Sequence, residues 1–312
     1  MIVCSLHETV GGTLDGTHWH RSGDTTILNL HTQVADYSIT PTRMALICAW
    51  NGRQEVNADG RRLLVDDDTW LLVPSDAATV RIRGSRPVHA LTILFRSGMP
   101  EDVLGSLINS DDRLLESGEE APSASLPFST HLRTHDRSVS PVLLFIRRHC
   151  DSGLEDPLWY EEQLVFLLER MLVQHRQTLS RVRSIPARRA ATRREIMRRI
   201  SLATDFIHSN YERPLMLQDI ASAAYLSRHH FLRLFKHIHD VTPHEYLQRK
   251  RSTAAARLLR GSELAVEEIV KQVGFDSRST LFRALRRFHG TTPRECRQAP
   301  ADSLTFMSAG LQ

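Results

Sequence analysis

Leu226-Ser227-Arg228-His229-His230-Phe231-Leu232-Arg233-Leu234-Phe235-Lys236 returns fifty residues later as Asp276-Ser277-Arg278-Ser279-Thr280-Leu281-Phe282-Arg283-Ala284-Leu285-Arg286. The echo extends outward in both directions. Upstream, Leu217, Ile220 and Tyr225 match Val266, Ile269 and Gly274 at an offset of 49, so one residue is inserted at the turn. Downstream, Thr242-Pro243 and Glu245 match Thr292-Pro293 and Glu295 at an offset of 50. Such a repeat is read before any motif. Each copy reads as a short helix, a tight turn, a second helix and a Thr-Pro stop. In the first copy Leu217 to Ala224 forms the short helix, and Ser227 opens the next as an N-cap whose hydroxyl takes an orphan backbone N–H. In the second, Val266 to Val273 ends at Gly274, which permits a left-handed turn, and Ser277 begins the following helix. This is helix-turn-helix grammar.

Helical spacing turns Phe231, Leu234 and Phe235 inward and leaves Arg228, His229, Arg233 and Lys236 on the other face. The second copy turns Leu281, Ala284 and Leu285 inward and Arg278, Ser279, Arg283 and Arg286 outward. A basic outer face on the second helix of such a unit suits a major-groove reader, since Arg reaches guanine edges bidentately while neighbouring cations hold phosphate. Charge agrees with this reading. Residues 190–300 hold 20 Arg and Lys against 11 Asp and Glu, whereas the rest of the chain holds 20 against 25. Between the copies, Pro243 to Arg260 predicts one helix about 27 Å long at 1.5 Å per residue. Such a rod could seat both second helices in successive major grooves, roughly 34 Å apart.

The remainder of the 312 residues is organised differently. From Thr25 to Phe95 the chain alternates short strand-like runs with turn residues: Thr26 to Leu30, Arg43 to Trp50, Gln54 to Asn57, Thr69 to Val73, Thr79 to Arg83 and Val88 to Phe95. An antiparallel β sandwich or barrel is expected. Helical spacing follows Pro100, returns at Val142 to Cys150, and continues from Pro157 to Arg181. The last segment carries Leu164, Leu168, Met171, Leu172 and Leu179 on one face, a stripe that packs either within its own domain or against a second copy in a dimer. Arg181 to Arg194, Arg-rich with Pro186, reads as a linker. The domains expected are therefore residues 1–180, a linker at 181–194 and residues 195–312. At 41% hydrophobic and 24% charged, the chain has an ordinary globular composition. It carries no apolar run long enough to cross a bilayer, no leader-like start and only four scattered cysteines, so a cytoplasmic location is expected.

The C-terminal residues resemble the AraC-type transcription regulators. The likeness runs from Ala190 to Arg297 and rests on Leu226 to Lys236, Thr242-Pro243, Arg251 with Ala254 and Leu258-Leu259, Gly274-Phe275, Ser277 to Arg287 and Thr292-Pro293. It implies an α+β chain: an N-terminal antiparallel β-rich, cupin-like sensor and dimerisation domain with helices, then an all-α domain of two helix-turn-helix units joined by a long helix. The base-reading positions it implies are His229, Leu232 and Arg233 in the first unit, and Arg278, Ser279, Thr280, Phe282 and Arg283 in the second. Arg228, Lys236, Arg286 and Arg287 complete the expected DNA-facing set. Two departures stand out. Tyr225 occupies a turn where the family often has Gly, which points to a different backbone path, and Leu285 and Cys296 replace residues that are usually aromatic. In the N-terminal part the likeness rests on strand rhythm and on Val65 to Pro74, a short acidic turn leading to a strand that ends in Pro.

His18-Trp19-His20 has the spacing that places two imidazoles on one face of a strand. With Asp24 it could begin a cupin metal site, yet no His lies between Asp66 and Arg83 to complete it, so no metal is expected. His18, Trp19, His20 and Trp50 stand instead as candidate effector contacts at the mouth of a barrel. No nucleophile elbow, phosphate loop or dinucleotide fingerprint is present, and no cofactor is expected. The expectation is a bacterial DNA-binding regulator rather than an enzyme. Its partners would be double-stranded DNA, a small-molecule effector and a second copy of itself, with RNA polymerase left open and no membrane. The rival reading, a metal-dependent cupin enzyme with a helical interaction domain, leaves the duplicated basic units without a purpose.

Overall fold

The computed structural model describes residues 1–7, 24–39, 43–74, 78–108, 128–154, 156–184 and 190–298. The chain divides into two compact units, Met1–Leu179 and Ser180–Gln312.

The described residues of the first unit include eight strands: β1 (Ile2–His7), β2 (Thr26–Ile39), β3 (Ala45–Trp50), β4 (Arg53–Ala58), β5 (Arg61–Asp66), β6 (Thr69–Val73), β7 (Ala78–Leu94) and β8 (His131–Thr134). They run in the order β1-β2-β7-β3-β6-β8, and β4 pairs with both β5 and β7. The pairings are antiparallel except β1 with β2, which is parallel in the register Ile2↔Thr26, a departure from the wholly antiparallel expectation. Two long strands carry the curvature. In β2 and β7 the register jumps from Thr32↔Val88 to Val34↔Arg83, so Gly84 to Pro87 bulge out opposite a single residue. Gly84-Ser85, expected to end a strand, bends one instead. Before the bulge, β7 pairs with β4, and beyond it with β3. The sheet thereby folds nearly into a barrel around one core. Alternate side chains fill that core: Leu28, Leu30, Ile47, Leu71 and Val73 from one half, with Tyr37, Val56, Leu63, Val65, Val80 and Ile82 from the other. Each such side chain contributes about 1.5–3 kcal/mol on burial.

Among the described residues three helices accompany the sheet: α1 (Met99–Ile108), α2 (Ser140–Asp151) and α3 (Pro157–Ser184). Asn29 Nδ2 donates to Asp151 Oδ1 at 2.8 Å, tying α2 to β2. Tyr160 donates to Cys150 Sγ at 3.3 Å, and Gln174 Nε2 to Asp136 Oδ2 at 2.7 Å, so α3 runs back along α2 in the same unit. This decides the leucine stripe. Leu164, Leu168, Met171 and Leu172 are all buried within the chain, which favours the intradomain reading, while the side chain of Leu179 lies outside the described residues. Val142, Leu143 and Ile146 on α2 are buried in the same unit.

The second unit is all helix: α4 (Ala190–Asn210), α5 (Leu217–Ala223), α6 (Arg228–His239), α7 (Pro243–Gly261), α8 (Val266–Gln272), α9 (Arg278–His289) and α10 (Pro293–Gln298). The expected linker at 181–194 is therefore narrower. Residues 181–184 close α3 and 190–194 open α4, because Arg and Ala are strong helix formers even where no apolar stripe marks them. One core runs through the unit, from Ile200 and Ile207 through Phe231, Phe235 and Leu247 to Leu259, Ile269, Leu281 and Leu285. Leu285 and Cys296, the two departures from aromatic residues, are fully buried in it. Thr-Pro does more than stop a helix. Thr242 caps α7 by accepting from the Glu245 N–H at 3.2 Å, with Pro243 in the first turn, and the preceding helix ends instead at Asp240 in the left-handed region.

Candidate nucleic-acid interface

The two helix pairs, α5 with α6 and α8 with α9, are built by the same local rules. At the start of each short helix a carboxylate three residues in takes the backbone N–H: Asp219 from Met216 at 2.9 Å, and Glu268 from Ala265 at 2.9 Å. Each short helix then closes with a six-to-one bond, Leu226 N–H to Ala221 O at 3.0 Å and Phe275 N–H to Val270 O at 2.9 Å. Tyr225 takes φ 53° where Gly274 takes φ 80°. The first turn thus follows the same left-handed path as the second, and the altered path expected from Tyr225 is not found. The caps of the longer helices differ. Ser277 accepts from the Thr280 N–H at 3.2 Å, whereas the Ser227 side chain makes no cap bond, contrary to expectation.

On α6, Arg228, His229, Leu232, Arg233 and Lys236 are exposed, while Phe231, Leu234 and Phe235 are buried. His229, Leu232, Arg233, Lys236 and His237 together line a shallow open concavity. On α9, Arg278, Ser279, Phe282, Arg283, Arg286 and Arg287 are exposed and Thr280 is half-buried. The predicted faces therefore stand as drawn, and exposed His230 and His237 join the first of them.

Pairing separates these cations into two kinds. Arg278 Nη1 lies 2.7 Å from Glu267 Oε1, with its guanidinium 5.7 Å from the centre of the Phe282 ring. Arg287 is paired with Glu245 of α7. By contrast, Arg233, Lys236 and Arg283 pair with no carboxylate among the described residues, and Arg286 forms no ion pair within 4 Å there but acts on Glu295, whose pKa it helps to lower. Glu267 and Glu245 were illegible as partners because they stand 11 and 42 residues from their arginines, beyond any helical spacing. Behind the faces, buried Arg251 donates to the carbonyls of Tyr211 and Arg213, both at 2.8 Å, and so ties the rod α7 to the end of α4.

The N-terminal candidates fare differently. His18, Trp19 and His20 lie outside the described residues. Trp50 is only 7% exposed, with the Arg147 guanidinium 4.8 Å from its ring centre and His135 stacked at 6.2 Å, which makes it a packing residue between β3 and α2. Among the described residues no three His, Cys, Asp or Glu side chains gather as metal ligands, and no helix is long and apolar enough to cross a membrane.

A family model described as a helix-turn-helix domain matches residues 220–299, which take in α6 to α10 and the end of α5. Residues 220–299 are an AraC-type helix-turn-helix domain. The HTH-type transcriptional regulator AlkR of Acinetobacter baylyi is 33% identical over 99 residues, 32% of this chain and 32% of its own length. The probable transcriptional regulator LumQ of Photobacterium leiognathi is 29% identical over 92 residues, 30% of this chain and 37% of its own. A solved AraC-type regulator from Chromobacterium violaceum is 28% identical, covering 37% of this chain and 99% of that one, with a TM-score of 0.32. The chain thus spans about a third of the length of the curated relatives it matches.

Proposed function

We propose that this chain is a sequence-specific DNA-binding transcription regulator in which α6 and α9 each enter a major groove. One observation carries the reading: two helix pairs with the same turn place Arg233 and Arg283, each unpaired and exposed, at equivalent positions of a basic outer face. An unpaired guanidinium is free to make the bidentate contact to guanine that specifies a base pair. Lys236 and Arg286, three residues further on, suit phosphate. The rod α7, 19 residues long, spans about 28 Å and would hold the two readers at a set distance. In this division of labour the N-terminal unit is a cupin-like sensor that binds a small molecule and joins two copies, and its ligand acts by binding two arrangements of the protein unequally. The α3 stripe plays no part in that joining. The chain acts as a regulator, without catalysis of its own.

Selecting duplexes from a random pool with the full chain, then footprinting the enriched DNA, tests the proposal. Two protected sub-sites about 10 base pairs apart are expected. Enrichment of no sequence at all would refute it.

A further inference from the structure

A second basic surface lies outside both reading helices. Residues 190–199 of α4 carry Arg193, Arg194, Arg198 and Arg199 against one acid, Glu195. Arg194 and Arg198 are exposed and sit one helical turn apart, hence on the same side. Glu195 accepts from Arg198 Nε at 2.8 Å and Nη2 at 2.9 Å, and from Arg199 Nε at 2.8 Å. These bonds, that of Arg198 foremost, pull its carboxyl down to about 2, so it stays ionised while the ridge around it remains net positive. Arg199 also donates through Nη1 to the Tyr225 carbonyl at 3.0 Å. That bond holds α4 against the turn three residues before Arg228, the first residue of α6. The ridge therefore continues to the N-terminal end of α6, the end of a reading helix that meets base edges. At the second turn Gly274 lies instead against the carbonyls of Tyr211 and Glu212.

We propose that Arg194 and Arg198 bind backbone phosphates flanking the first sub-site, extending the contact beyond the bases read by α6. The proposal rests on the DNA-binding reading and adds to it a surface that carries affinity and register without sequence information. Guanidinium groups bind phosphate oxygens strongly, Arg198 exchanging its Glu195 carboxylate for phosphate on binding, and neutralising each phosphate releases counterions. An acidic protein surface could meet the same charges, but continuity with the reading end of α6 favours DNA.

The test uses the full chain and a duplex enriched by the wild-type protein, with affinity measured from roughly 50 to 300 mM KCl. Arg194→Ala with Arg198→Ala should make the slope of log affinity against log salt shallower by about 1.8, since each lost phosphate contact removes about 0.9. Hydroxyl-radical protection should shorten at one outer edge while base preference stays unchanged. Arg194→Lys with Arg198→Lys should recover most of the slope, because the charge remains. A double alanine variant with the wild-type slope and footprint overturns the proposal and leaves a protein partner as the use of the ridge. Loss of base preference overturns it too, by placing these arginines among the base readers. If the wild-type chain enriches no duplex, the failure belongs to the DNA-binding reading itself.

Discussion

Tyr225 and Gly274 perform one task with unequal means. Both sit in the left-handed region, at φ 53° and φ 80°, where a side chain costs about 1 kcal/mol. Tyr225 bears that cost on a ring that is 72% exposed and hence packs little. Gly274 has no room to bear it, since a Cβ there would stand 2.6 Å from the Glu212 carbonyl oxygen and 2.8 Å from that of Tyr211. The latter carbonyl also receives Arg251. Opposite effects on stability are expected. Tyr225→Gly should stabilise the helical unit by about 0.5–1 kcal/mol, and Gly274→Ala should destabilise it by about 2 kcal/mol or more, both read by urea unfolding. A second residue-level expectation concerns His175. Burial first, and then the Arg133 guanidinium, lowers its pKa from 6.5 to about 4. The folded state thus holds it neutral where the unfolded chain takes a proton. Its contribution to stability is whole above pH 6.5 and is lost as pH falls from 6.5 towards 4. The melting temperature of the N-terminal unit should drop through that window, and His175→Gln should reduce the drop; an identical pH profile in the variant would remove the assignment.

At the scale of elements, legibility followed periodicity and failed where tertiary structure overrides local signals. The pairs α5–α6 and α8–α9 were readable because a duplication displays the same buried and exposed positions twice. In the N-terminal unit, Gly84 to Pro87 reads as a break, but the partner strand β2 continues past it and turns the break into a bulge. The α3 stripe reads as unpartnered because what buries it lies elsewhere in the chain. The arginine-rich stretch at 190–194 hides a helix, since polar good formers leave no apolar trace. Of the interface, the outward arginines were legible, whereas Glu267 and Glu245 were not, since long-range pairs leave no spacing to read. The buried stripe makes a sharp prediction. Leu168→Asp with Leu172→Asp buries two unpaired charges in an intradomain core, so circular dichroism should show an unfolded N-terminal unit. A folded variant with an altered sedimentation coefficient would return the stripe to a dimer seam.

For the whole molecule, an N-terminal unit folded around a bent sheet is joined in one chain to a basic helical unit with two helix pairs, the two proposed readers. Residues 190–300 hold nine more basic than acidic side chains, while the remainder holds five more acidic than basic, so the polyanion partner is assigned to one unit alone. What distinguishes this from a single basic patch is that the two arginines must report on separate base pairs. The decisive measurement is therefore the base-preference profile of the full chain, Arg233→Ala and Arg283→Ala on one enriched duplex. Each substitution should cost about 1–3 kcal/mol and relax preference in one sub-site only, the two affected positions lying about one helical turn apart. Preference retained at both sub-sites in both variants, or lost at the same base pairs in each, would contradict the two-reader account.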